Sequence, residues 1–302
     1  MYQDSLKTGE LTIGFNASMT YVKGGHAVTK DQYEPGIPDA QQPQHHNLDV
    51  VVTSWTLSTS YGLHKRLALE FDLPFRANFV GASFDDGQGE EIAGFSSIHH
   101  RDETIAGIGD IFLGARIAAI RPTDVPRLSI DITAGTSIPT GHIEPDPFLL
   151  GEQGKEHQHM FFGRGTFIPR FGLKIDYSFD QFSLSGWVQS KTSFVENSEG
   201  YHPSSTATGG FSVASSFGLQ QWRFMLQQML FHESKATWSG RRAENSGRTD
   251  LIAALGVIYQ PHPKWSINVS ARVPWKSYTY GAQMRIPVIL GLGARYKLNL
   301  LN

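Results

Sequence analysis

Residues Gln283–Leu300 read QMRIPVILGLGARYKLNL, and the register of that stretch decides the fold. Alternate positions, Met284, Ile286, Val288, Leu290, Leu292, Ala294, Tyr296 and Leu298, are apolar or interfacial. Between them fall Arg285, Pro287, Ile289, Gly291, Gly293, Arg295 and Lys297, mostly small or cationic. A period of two marks a strand with one apolar and one wet face. Strands in soluble proteins usually run ~5–6 residues, whereas ~9–11 tilted residues cross a bilayer. Hydrocarbon offers no partner to backbone N–H and C=O groups, so such a strand crosses only as part of a closed barrel.

The rest of the chain supplies the other strands. Alternation recurs over Thr12–Val22, Val50–Tyr61, Arg66–Val80, Gly109–Ile120, Arg127–Thr140, Thr166–Tyr177 and Phe182–Phe194. It continues over Gly210–Phe217, Trp222–Phe231, Thr249–Tyr259 and Trp265–Trp275. Short turns alternate with long polar loops at about 23–47, 81–104, 141–161, 195–205 and 232–247. Short turns on one side, long loops on the other and an even strand number are the pattern of outer-membrane barrels. The expectation is an all-β fold, a single 12-stranded antiparallel transmembrane β-barrel over 1–302, with a periplasmic N-terminal segment at 1–10 and both termini in the periplasm of a Gram-negative cell. The opening MYQDSLKTGE lacks a basic-then-apolar export signal, so the numbering is expected to start near a mature N-terminus.

Composition agrees. No apolar run approaches the ~18 residues of a membrane helix, a test that barrels escape because half their strand residues are polar. Glycine numbers 31 and aromatics make up 12 %. Tyr61, Tyr177, Phe182, Phe217, Trp222, Tyr259, Trp265 and Tyr296 fall at short-turn ends, and Tyr21, Phe75, Phe194 and Trp275 at long-loop ends, as two interfacial belts require. A formal net charge of −2 gives no reason to expect nucleic acid, and the absence of cysteine excludes disulfides and thiolate chemistry. Pro74, Pro139, Pro169, Pro274 and Pro287 fall within the expected strands. Proline donates no ladder bond, so these positions predict bulges or bends near a rim.

Several stretches resemble a known family. They are Gly107-Ile108-Gly109-Asp110 leading into Phe112-Leu113-Gly114-Ala115-Arg116, then Ile138-Pro139-Thr140-Gly141, Gly163-Arg164-Gly165-Thr166, and Val273-Pro274-Trp275 through Tyr280-Gly281-Ala282-Gln283 to Gly291-Leu292-Gly293-Ala294-Arg295-Tyr296. Together they resemble the outer-membrane proteins associated with the meta-pathway of phenol degradation, from about Leu67 onward. The resemblance implies a channel passing small hydrophobic or aromatic solutes, with outer-membrane lipid and the solute as its partners. The alternative is a surface-binding or structural barrel serving as a metal binder or as an anchor for an unnamed protein. Gly293, Tyr296 and Leu298 also resemble a barrel assembly signal, although the chain ends in Leu301-Asn302 and not in an aromatic.

If the apolar faces meet lipid, the others line the lumen. Glu70, Asp72, Asp110 and Asp131, with Arg76 and Arg116 among them, form an acidic wall. Arg170, Lys174, Asp176, Lys191 and Arg223 follow, and Arg272, Arg285, Arg295 and Lys297 form a basic wall opposite. Such walls would set a transverse field in a narrow pore. Twelve strands lie between the ~8 that side chains fill and the ~16 that leave an open channel, so a salt-bridged, sealed interior is the competing expectation.

Of the 12 histidines, most lie in the long loops, among them His45, His46, His99, His100, His157 and His159. Imidazoles in pairs are candidate zinc or copper ligands, and alternate residues of His157-Gln158-His159 share one side if extended. The competing reading is solvated loop histidines. No other cofactor is expected. The nearest approach to a serine hydrolase is His202-Pro203-Ser204 with Asn197, in a loop and without a surrounding motif, so no enzymatic activity is expected.

Overall fold

The computed structural model describes residues 7–301 apart from 29, 31–32, 34–35, 96, 98–99, 244–245 and 282. The chain lays down β1 (Glu10–Ala27), β2 (His45–His64), β3 (Leu67–Asp85), β4 (Glu103–Ile108), β5 (Ile111–Ile120) and β6 (Leu128–Ile138). A short α-helix, α1 (Pro147–Glu152), precedes β7 (Ile168–Ser178), β8 (Phe182–Lys191), β9 (Tyr201–His202), β10 (Thr206–Ser215) and β11 (Trp222–Glu233). Then come β12 (Thr237–Trp238), β13 (Arg241–Arg242), β14 (Arg248–His262), β15 (Trp265–Thr279) and β16 (Ile289–Asn299).

Neighbours pair antiparallel around a ring, and β1 joins β16 from Glu10↔Asn299 to Met19↔Leu290. Because β4 and β5 are two halves of one path, both paired to β3, the ring is a closed 12-strand barrel. The tiny β9, β12 and β13 form a separate sheet above it.

The two faces separate as the alternation requires. Leu69, Ile117, Val188, Leu226, Leu255 and Leu292 are exposed on the outer surface. A membrane barrel is inverted in this sense, with its large apolar side chains turned to lipid. Near the short turns, Trp222 lies 4.5 Å from Tyr259, and Phe179 stacks on Phe182 at 4.3 Å, forming one aromatic belt.

Strand ends depart from the sequence expectation in both directions. The first three strands outrun the apolar band, because polar side chains carry the ladder upward: Lys23 pairs with Asp49 at 3.2 Å and His45 with Asp85 at 2.8 Å. Hydrogen-bonded His45 lowers the pKa of Asp85 below its ordinary 3.8, with the Gly87 amide as the next cause. The last strand is shorter than expected and begins at Ile289, beyond Pro287. Ahead of it the Thr20 hydroxyl donates to the Val288 carbonyl at 2.6 Å, replacing a ladder bond with a side-chain one. Residues 1–6 of the expected N-terminal segment lie outside the described residues, and Glu10 already belongs to β1.

The prolines sit at irregularities. Pro74 faces the β4–β5 break, where its carbonyl accepts from the Gly109 amide at 2.9 Å. Pro274 flanks a register shift between Leu251 and Ile252. Pro139 follows the end of β6, and Pro169 is the second residue of β7.

Candidate functional site

Long loops fold back over the barrel mouth because they carry their own small core. Tyr201, Ala236, Trp238 and Ala243 are buried together, with Phe148 and Phe161 packed against them. The rings meet at 4.7 Å for Tyr201–Trp238 and 5.1 Å for Phe161–Tyr201. Aromatic pairs at such spacings contribute beyond their burial. Asn197 ties the cluster down. Its side-chain oxygen accepts from the Glu199 and Tyr201 amides, and its amide donates to the Arg164 carbonyl at 3.1 Å.

The loop carrying α1 is stitched into the wall where β4 and β5 part. Asp110, in that gap, accepts from the Gly141 amide at 3.1 Å and from the Arg164 amide at 2.8 Å. Gly141 and Gly163 touch there so closely that a Cβ on Gly163 would lie 2.1 Å from the Gly141 carbonyl oxygen. Those two glycines let both backbones pass.

Between this loop roof and the upper lumen lies a cavity of about 370 Å³. Phe161, Phe162, Tyr201 and Trp238 line its roof, and Val52, Ser54, Arg76 and Asn78 its walls. Arg164 also faces it and donates to the Tyr201 hydroxyl at 3.0 Å. The volume falls within the ~300–1,000 Å³ of small-molecule sites, which combine apolar walls with a few convergent polar groups.

Below the cavity the wall carries Phe112, an aromatic that points inward. Its ring lies flat against the paired glycines Gly114 and Gly135, where an added Cβ would approach the ring to 2.4 and 2.6 Å. The Arg170 guanidinium caps this ring at 3.2 Å from its centroid and reaches Asp72 at 2.9 Å.

The expected acidic and basic walls are not how the charges resolve. Glu70 pairs with Arg116 at 2.9 Å, Asp72 with Arg170, Asp131 with Arg121 at 3.8 Å, and Asp176 with Lys174 at 2.9 Å. Each acid takes a cation from nearby in the sheet, because Coulomb attraction over ~3–4 Å outweighs attraction across the lumen. Asp110 is satisfied by backbone amides, and Arg76 stands near it at the cavity. Arg272 lies on β15 beside Gly291, and Arg295 on β16. Arg285 precedes β16, on no strand, and is exposed.

The histidines pair without converging. His46 meets His100 edge-on at 5.2 Å and Phe84 at 5.0 Å, and His157 meets His159 at 5.0 Å. His45 is engaged by Asp85, and His99 lies outside the described residues. Among the described residues no three metal-ligating side chains come together. The hydrolase-like trio is also dispersed: the His202 ring faces the Ser193 carbonyl at 3.4 Å, and Asn197 serves its own turn.

Sequence reasoning missed the roof of the cavity and Phe112. The available signals were an aromatic on the polar parity of β5, and Tyr201 and Trp238 embedded in otherwise polar loops.

No protein-family model matches the chain. No curated protein matches it either. Among solved structures, an outer membrane channel of Pseudomonas putida F1 matches over 97 % of this chain and 97 % of its own, at 11 % identity and a TM-score of 0.65. The toluene transporter TodX of P. putida matches over 97 % and 91 % at 8 % identity, but its TM-score of 0.45 is too low to argue from. The likeness to the first of these, over nearly the whole of both chains, shows that this chain has the fold of an outer-membrane β-barrel.

Proposed function

We propose that this barrel is a channel of the Gram-negative outer membrane that passes small hydrophobic or aromatic solutes. The carrying observation is the 370 Å³ cavity at the barrel mouth, roofed by aromatic rings. Rings and aliphatic side chains favour an apolar guest by removing its surface from water, at ~25 cal/mol per Å². Arg76 and Arg164 give the same space a polar end that can orient the guest. The resemblance to the phenol-degradation family supports the reading, as does the fold shared with an outer membrane channel of Pseudomonas putida F1.

Phenol and toluene titrated into the detergent-solubilised protein should give saturable quenching of tryptophan emission, through buried Trp238. Ser54→Phe, which fills the cavity from the β2 wall, should weaken that binding at least tenfold. Reconstituted protein should also admit phenol faster than empty liposomes do. Absence of saturable binding together with entry no faster than in empty liposomes would overturn the reading.

A further inference from the structure

We infer that the preferred solute is an acid, a small aromatic body carrying one carboxylate, drawn inward along a series of cations to which the protein gives no carboxylate at ion-pair distance. The inference rests on the reading of the cavity as a solute station and narrows its chemistry.

Inward carboxylates Glu70, Asp72, Asp131 and Asp176 each have a cation within 4.0 Å. Asp110 accepts two backbone amides, and Glu233, at the cavity, accepts from the Gly247 amide at 3.4 Å. Four cations are left over. Among the described residues, Arg76, Lys191, Arg223 and Arg272 have neither a carboxylate at ion-pair distance nor a hydrogen-bond partner. Alternation puts all of them on the inner face, because their strand neighbours Phe75, Phe224 and Val273, and Val188 in the same strand as Lys191, are the exposed apolar ones.

They stand at three levels. Arg76 lines the cavity. Lys191 ends β8 and sits opposite Arg170 in the ladder. Arg272 pairs in register with Ala254 midway down β15. Arg223 follows Trp222 at the periplasmic turn and faces Ile258. At ~3.3 Å of rise per residue, Arg76 and Lys191 share the upper level, within Coulomb range of each other, Arg272 stands lower and Arg223 lowest.

An uncompensated cation in a narrow, partly dry space is costly unless an anion attends it. A solute carboxylate supplies that anion at each level in turn. The attraction is divided among several sites, so none needs to bind tightly, and a pore that must release its guest benefits from that division. The aromatic roof accepts the ring of the same solute. A neutral aromatic would use the roof and leave the guanidinium of Arg76 unsatisfied. A cationic one would be repelled.

Benzoate and benzyl alcohol, matched in size and differing in charge, provide the test. Both are titrated into the intact protein, and entry of radiolabelled benzoate and benzyl alcohol into proteoliposomes is followed at pH 7. Planar bilayers under a KCl gradient give the ion preference. We expect benzoate to bind at least tenfold more tightly than benzyl alcohol, chloride to be preferred over potassium, and both preferences to collapse in Arg76→Gln/Lys191→Gln. Because neither side chain makes a bond, that variant should fold. Arg272→Gln is an independent second variant, expected to lower the chloride preference without changing binding at the mouth. Equal or tighter binding of benzyl alcohol, or preference for potassium, overturns the inference and leaves the hydrophobic channel standing. Failure of both aromatics to bind and enter overturns the inference and the channel reading together.

Discussion

The Arg170 guanidinium lies 3.2 Å above the centroid of the Phe112 ring. It is held there by Asp72 from a strand on the other side of two glycines. Cation–π contacts range from ~0.5 kcal/mol at exposed sites to ~2 kcal/mol when desolvated. Phe112 is buried, so Phe112→Ala should cost about 3 kcal/mol. It should also free Arg170 and enlarge the upper lumen. Urea unfolding in lipid vesicles and single-channel recording check both expectations. Unchanged conductance together with unchanged stability would remove Phe112 from any part in shaping the path.

Gly163 makes a second test local. A methyl group there would meet the Gly141 carbonyl oxygen at 2.1 Å, with backbone on both sides and no flexible side chain to yield. Gly163→Ala should therefore push the outer loop from its seat at the β4–β5 break. Overpacking of this kind typically costs ~1–3 kcal/mol. Limited proteolysis should show faster cleavage within 142–162, while heat-modifiable migration of the barrel itself persists.

Acid should loosen the rim where Asp85 holds His45 and Asn47 at 2.8 and 3.0 Å. The folded-state pKa of Asp85 is lowered, first by the His45 hydrogen bond. A lowered carboxylate pKa stabilises above the ordinary value of 3.8, and the contribution fades as pH falls from there toward the folded value. Protection factors of the β2–β3 tip amides, corrected for the intrinsic exchange rate at each pH, should fall between pH 5 and 3, and Asp85→Asn should be as poorly protected at pH 5 as the parent is in acid. A tip equally protected at both pH values would refute this.

Leu255 tests the inverted surface. It is 62 % exposed on β14, between the inward residues Ala254 and Gly256. An arginine on the lipid face costs ~2–4 kcal/mol at the midplane and less near the interfaces. Leu255→Arg should lose stability of that order in vesicles, and Leu255→Ile almost none.

Most of the barrel was legible because two solvents imprint it. Lipid outside and polar lumen inside force alternation wherever a strand crosses, as along Leu67–Phe75. The pattern reports the membrane band and not the reach of hydrogen bonding. For that reason β3 continues to Asp85 although alternation weakens earlier, and β16 starts late although Met284, Ile286 and Val288 keep the rhythm. The charged inner face was legible as a set of residues and not as pairs. Whether Asp72 finds Arg170 or a cation across the lumen depends on the Phe112 ring seated over Gly114 and Gly135, a packing that no period encodes. The cavity roof was the least legible part, because Phe161, Tyr201 and Trp238 converge from separate loops without any repeating pattern.

The seam between β1 and β16 has a kinetic consequence. Glu10 sits beside Asn299, and the Leu300 amide donates to the Gly9 carbonyl at 2.8 Å. The two strands most distant in sequence are thus the ones whose union completes the ring. Every other pairing can form between consecutive strands, but this one waits for the whole chain, and topologies dominated by distant contacts fold slowly. Until it forms, two raw sheet edges face the bilayer with their amides and carbonyls unmet, in a medium that tolerates neither. Completion of this barrel is therefore a single late event, and an intermediate stalled before it has no stable resting place in lipid.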